Sequence, residues 1–364
     1  MDFYKKFTSN TLAGSGNQLY FYSDDENALQ RGRVCYKVFK GGEFNYSFLF
    51  SNVIDSTFGR VGDFSCNYLV EPWEIVYANA LVIKNCDENF MDEPTSVYPL
   101  TFNGNTSKRV ERGDLFYSDA VKIFVNEGEY ICLEVAFKGR QIPYHEESII
   151  PCFALVDGKW QPSKRAIFAP MVGCDREVKK KIAFIGDSIT QGIGTEVNSY
   201  NHYMAVVADV LGKDYAYWNL GLGYGKVDDV ATDGAWLAKA KQNDIVSICF
   251  GVNDIWRGYT AEQIKFNLEK VVDILKNLGI KVILQTIPPF NFYDQYIGIW
   301  KEVNEYLRTT LSKKVDLFFD DAILLKKSDE EEHIARYGDH PNAEGCKVWG
   351  EALADKMQEF LQSI

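Results

Sequence analysis

The sequence predicts two unlike halves: an all-β sandwich or jelly roll over residues 1–175, then an α/β domain over residues 176–364 built on a parallel sheet. Three observations predict this. Up to about residue 170, short aromatic and β-branched runs are separated by turn signals, and no long helix-period run appears. After about residue 178, strand-like runs alternate with helix-like ones, which implies a parallel sheet with helices on both faces. Between them, residues 169–179 hold Pro170 and Gly173 and lead into a basic run, as a domain boundary would. At 364 residues the chain is long enough to bury two cores.

Taken in order, the β half shows candidate strands at 18–22, 33–39, 46–50 and 130–135, with turns at Lys40-Gly41-Gly42 and Asn126-Glu127-Gly128. The aromatic content of 14% suits a sandwich core or an aromatic-lined pocket. In the second half, strands are expected at 182–185, 217–220, 245–250, 282–286 and 315–319. Thr260 and Gln263 form a capping box that opens a helix to about Leu278. Its apolar residues Ile264, Leu268, Val271, Val272 and Leu275 fall on one face, and Gly279 stops it. Pro341 is expected at a first-turn position of a last helix running through Leu361.

Composition excludes several classes. The formal net charge is -12 and no basic patch stands out, so nucleic acid is not an expected partner. No run approaches the ~18 apolar residues of a membrane span, so no membrane partner is expected either. The first residues lack the apolar core of a secretory signal, which leads to an expectation of a cytoplasmic protein. None of the eight cysteines is paired at metal-ligand spacing; all are expected to be reduced, and no metal site is expected.

The chemistry gathers at expected strand ends. Residues 181–185 run into Gly186-Asp187-Ser188, a serine at the C-terminal end of a strand, where open α/β sheets bind ligands. A nucleophilic serine needs a base, a group to orient that base, and donors for the oxyanion. The strand at 217–220 runs into a glycine-rich turn at 221–225, where backbone N–H groups can approach a ligand. The next ends in Gly251-Val252-Asn253-Asp254, and Asn253 can donate a side-chain amide. Near the C-terminus stand Asp339-His340-Pro341-Asn342. If His340 caps the last helix, the helix dipole favours the neutral imidazole that a general base requires. Taken singly, each piece has a structural reading: an N-cap serine, turn glycines, an Asx-turn, a surface cap. Their joint occurrence in this order points to a site.

These blocks resemble those of the SGNH or GDSL hydrolases, over residues 181 to about 361. The resemblance implies a flavodoxin-like three-layer domain in which Ser188 is the nucleophile and His340 the base. It also implies an oxyanion hole made by the Ser188 N–H, a glycine N–H and Asn253. The family glycine lies five residues beyond Asn219, which here is Tyr224 between Gly223 and Gly225; Gly223 is taken as the donor. The family acid precedes the histidine by three residues, which here is Tyr337, while Asp339 adjoins His340. Either Asp339 turns to the imidazole, or a backbone carbonyl orients it and the site is a Ser–His dyad, as in some carbohydrate esterases of this superfamily. The N-terminal half is similar to the β domain ahead of some of these hydrolases, at residues 41–52 and at Ser118-Asp119-Ala120-Val121. The resemblance implies a serine ester hydrolase working through an acyl-enzyme, with no cofactor and no metal. Its expected substrate is a small-molecule or oligosaccharide O-acetyl ester. The alternatives are a lysophospholipase or short-chain lipid or aryl esterase, and a catalytically silent carbohydrate-binding protein.

Overall fold

The strand that ends in Gly186-Asp187-Ser188 is central to the C-terminal sheet. A computed structural model describes residues 2–59, 64–146 and 149–364. In it, β1 (Lys180–Gly186), β2 (Tyr215–Gly221), β3 (Ile245–Cys249), β4 (Lys281–Gln285) and β5 (Leu317–Phe319) form one sheet in the order 2-1-3-4-5. Every pairing is parallel. This is the flavodoxin-like doubly wound order, whose ligands bind where β1 and β3 diverge. Residues Ile182, Ala183, Phe184 and Ile185 are all fully buried, so both faces of β1 are covered.

Ser188–Gln191 forms a one-turn helix, α1, directly after β1, and Val252–Trp256 forms another, α2, after β3. The expected amphipathic helix is α3 (Ala261–Asn277). Thr260 and Gln263 make the capping box, and the five residues expected on its inner face are buried. The last helix, α4 (Ala343–Leu361), starts later than expected. Its N-cap is Asn342, whose side-chain oxygen accepts the Gly345 N–H at 3.0 Å. Proline has no such acceptor, so Pro341 and His340 stay in the preceding loop, and His340 does not cap the helix.

The N-terminal domain is antiparallel throughout. Tyr130–Gly139 lies between Gln30–Lys37 and Trp73–Ile83 in a seven-stranded sheet. Gly42–Ser51 organises a five-stranded sheet. Inward residues of both, such as Val34, Leu133, Phe48 and Phe50, share one core. Cys35 and Cys132 stand directly opposite in neighbouring strands, and the structure joins them as a disulfide. That corrects the expectation of eight reduced cysteines; the other six are free.

The two domains meet through buried polar groups. Lys239 Nζ lies 2.6 Å from Asp55 Oδ2, both side chains almost wholly buried. Thr57 donates from its hydroxyl and its N–H to the Asp229 carboxylate at 2.7 and 3.0 Å. Arg176 donates to the carbonyls of Ser9, Lys213 and Tyr215. No helix of the described residues is long and apolar enough to cross a membrane.

Candidate active site

The turn after β1 leaves little freedom. A Cβ at Gly186 would lie 2.6 Å from the Cys249 carbonyl oxygen, and one at Gly221 would lie 2.1 Å from the Gln191 nitrogen. Only glycine allows these strands and α1 to approach so closely. Asp187 caps α1 by accepting the Ile189 N–H at 3.0 Å. As the first residue of α1, Ser188 has an N–H with no intrahelical acceptor.

One turn on, Gln191 is tied to the N-terminal domain. It accepts from Gln18 Nε2 at 3.2 Å and donates to the Glu146 carbonyl at 3.2 Å. Its Nε2 also lies 2.7 Å from His145 Nε2. Burial pushes the His145 imidazole down to about 4, so it sits there neutral, as an acceptor for the amide. Burial also pushes the Asp187 carboxyl up to about 7. The Ile189 N–H opposes that rise and the charge of Asp254 adds to it.

Ser188 Oγ is 2.8 Å from His340 Nε2. With the ring proton on Nδ1, the hydroxyl donates and Nε2 accepts, the arrangement of a serine about to be deprotonated. Phe290 meets the imidazole edge-to-face at 5.3 Å. Burial lowers the His340 pKa from its ordinary value, which holds the ring in its basic form.

Around this pair lies a cavity of about 600 Å³, bordered also by Asn253, Tyr224, Trp256, Arg257 and Asp339. Asn253 is the second residue of α2. Its Nδ2 donates to the Gly225 carbonyl at 3.0 Å, and the same amide carries a second N–H.

Two expected residues sit differently. Tyr224, not Gly223, borders the cavity. The Gly225 N–H bonds back to the Leu222 carbonyl at 3.0 Å, closing a turn in which Tyr224 takes a left-handed φ of 60°. That conformation usually calls for glycine. Tyr224 therefore occupies a glycine-like backbone position, at the spacing from Asn219 where the family pattern calls for glycine.

Asp339 lines the cavity but does not reach the imidazole. Its Oδ1 is buried with no hydrogen-bond partner among the described residues, and burial raises its pKa while the Asn291 side chain partly offsets this. Among the described residues, no carboxylate and no backbone carbonyl hydrogen-bonds His340 Nδ1. Adjacent side chains in an open loop diverge, so closeness in sequence does not bring this acid to the ring.

Several residues escaped the sequence reading. Trp256, Phe290 and Tyr293 build the aromatic wall, with Trp256 against Tyr293 at 4.9 Å. No motif marks them. Asp254, which closes the Gly251-Val252-Asn253-Asp254 block already marked in the sequence, is fully buried and accepts the Val227 N–H at 3.1 Å; burial pushes it up to about 7. Among the described residues, no group of three or more metal-ligating side chains occurs.

Residues 184–348 match the GDSL-like lipase/acylhydrolase family. An arylesterase of Vibrio mimicus is 24% identical over 196 residues, covering 51% of this chain and 92% of that protein. Among solved structures, a carbohydrate acetylesterase from Sinorhizobium meliloti is 21% identical with a TM-score of 0.40, covering 50% of this chain and 99% of that one. An acetylxylan esterase from Geobacillus stearothermophilus, solved as a catalytic mutant, is 22% identical with a TM-score of 0.39, covering 50% and 95%.

Proposed function

We propose, from the match of residues 184–348 to the GDSL-like lipase/acylhydrolase family, that this ester hydrolase is a serine esterase that removes acetyl groups from carbohydrate through an acyl-enzyme. The observation that carries the reading is the 2.8 Å contact between Ser188 Oγ and His340 Nε2, both of which line the cavity.

Ser188 attacks the ester carbonyl while His340 takes its proton at Nε2. The developing oxyanion is met by the Ser188 N–H, by the second N–H of the Asn253 amide, and by the N–H of Tyr224 in place of Gly223. His340 then returns its proton to the leaving alcohol. Water, deprotonated by the same ring, releases acetate and restores Ser188. No carboxylate assists His340 in this scheme, so the pair acts as a dyad and Asp339 shapes the cavity.

The carbohydrate assignment rests on the lining. Trp256, Phe290 and Tyr293 present apolar ring surface, while Asn253, Asn291 and Arg257 present polar groups. Sugars need both, since their C–H faces pack on rings and their hydroxyls need partners. A second reading, an aryl esterase, is favoured by the match to the Vibrio mimicus arylesterase.

The test is a panel of esters with wild-type protein and Ser188→Ala. Loss of Ser188 is expected to cost ~10⁴ or more in rate on every substrate. Acetyl esters should outrun butyryl and octanoyl esters, and O-acetyl sugars should outrun phenyl acetate. A rise in kcat/KM with acyl length would favour the lipid reading. Preference for phenyl acetate over every sugar ester would favour the aryl one. A Ser188→Ala enzyme keeping a tenth of its activity would remove Ser188 as the nucleophile.

A further inference from the structure

The cleft at Ser188 does not end within the C-terminal domain. Beside the first cavity opens a second chamber of about 750 Å³, and Ile193 and Tyr224 border both. One side of this chamber is the loop after α1, at Gly194, Thr195 and Val197. The other side belongs to the N-terminal domain, which contributes Phe58, Ile150 and Pro162 together with Asn89, Glu146 and Lys164.

The two chambers are mechanically joined. Phe58 packs edge-to-face on Tyr224 at 4.7 Å, so a ring of the N-terminal domain touches the residue that borders both spaces. Gly194 has a φ of 103°, and a Cβ there would lie 2.6 Å from the His340 carbonyl oxygen. The loop bordering the second chamber is thus pressed against the backbone of the histidine that faces Ser188.

Size and chemistry identify the occupant. A ligand pocket usually measures roughly 300–1,000 Å³, so each chamber alone is large enough for a ligand-sized body. An acetyl group on one sugar ring does not need both. The second chamber sets apolar surface beside the amide of Asn89, the carboxylates of Glu88 and Glu146 and the ammonium group of Lys164, with both signs of charge. Neutral polyhydroxylated groups fit such a lining: their C–H faces pack and their hydroxyls find donors and acceptors. A long acyl tail would leave those polar groups unmatched.

We infer that the N-terminal domain completes the substrate site: the alcohol of the ester extends beyond the acetylated sugar, and its next glycosyl unit lies in the inter-domain chamber against Phe58 and Pro162. The inference rests on the reading of Ser188 as nucleophile and of acetylated carbohydrate as substrate. The preferred substrate is then an O-acetylated oligosaccharide or glycoside, and the N-terminal domain sets alcohol specificity from within the same chain.

Three esters test it: a mono-O-acetyl disaccharide, the matching mono-O-acetyl monosaccharide, and phenyl acetate. Wild-type protein should prefer the disaccharide ester by kcat/KM. Asn89→Trp narrows the chamber from an exposed position, and Phe58→Ala removes its ring. For each variant, the loss on the disaccharide ester should exceed the loss on phenyl acetate by ~10-fold, chiefly through KM. Equal losses on all three substrates in both variants would overturn the inference, as would a wild-type preference for the monosaccharide ester. Failure of the carbohydrate reading has a separate signature, visible in wild-type protein alone: turnover of phenyl acetate with none of either sugar ester.

Discussion

The serine side and the histidine side of the cleft are held in opposite ways. Ser188 sits at the junction of β1 and α1, with Asp187 capping the turn and Gln191 anchored to His145, Glu146 and Gln18 of the other domain. Backbone from three strands closes around it, tightly enough that Gly186 and Gly221 admit no Cβ. His340 lies in the loop before α4, and among the described residues its side chain has one hydrogen bond, to Ser188 itself, plus the edge of Phe290. The difference shows which element of a two-residue site needs a scaffold. The nucleophile and its oxyanion donors must stand in fixed geometry, because misplaced donors stabilise nothing. The base can be carried by a loop as long as packing keeps the ring in reach and burial keeps it neutral.

The strongest way to break this contrast is at the domain interface that braces the serine side. Lys239→Met leaves Asp55 buried without its partner, and losing one member of a buried pair costs about 3–5 kcal/mol. Chemical denaturation should show that loss. Lys239→Met combined with Asp55→Leu should recover most of it, because an apolar pair of similar volume leaves no orphan charge. A loss below about 1 kcal/mol in the single variant would mean the interface is wet and the bracing weak.

Next in size is Asn253→Ala. Removal of one preorganised oxyanion donor costs ~10² to 10³ in kcat with little change in KM. A change confined to KM would make Asn253 a positioning residue and leave the oxyanion to the two backbone N–H groups.

Smallest is Asp339→Asn. With no bond from its carboxylate to His340, the substitution should lower kcat by less than ~10-fold, through the lost field alone. A loss of several orders of magnitude would mean that the acid turns to the ring during the reaction, and the contrast would fail on the histidine side.

Much of this was legible in the chain. The β1 run, the capping box of α3 and the alternation that yields a 2-1-3-4-5 sheet are local patterns, and each is met within a residue or two. Ser188, Asn253 and His340 were legible because each follows a strand or precedes a helix with a recognisable turn chemistry. What was not legible depends on distant partners. Trp73–Ile83, at 11 residues the longest strand among the described residues, carries a weak local signal because its Ala78, Asn79 and Ala80 are poor strand formers; pairing along Tyr130–Gly139 makes it a strand. The start of α4 was misplaced because the Asn342 cap outcompeted the Pro341 signal. Sequence proximity left Asp339 as one of two ways to orient the imidazole, the other being a backbone carbonyl, and its polar neighbour is Asn291, from the loop after β4. Tyr224 was half legible: the spacing from Asn219 pointed to it, and its left-handed backbone shows why that place calls for glycine.

The pH dependence of kcat/KM on a neutral acetyl ester reports whether His340 serves, as proposed, as a buried base with no carboxylate behind it. Burial disfavours the imidazolium and so lowers its pKa, whereas a carboxylate hydrogen-bonded to Nδ1 would raise it. Activity requires the neutral ring, so the acid limb of the profile reports that pKa in the free enzyme. The acid limb should have its midpoint below the ordinary histidine value of about 6.5 and move little in Asp339→Asn. A midpoint at or above about 7 in the wild type, falling in Asp339→Asn, would contradict it.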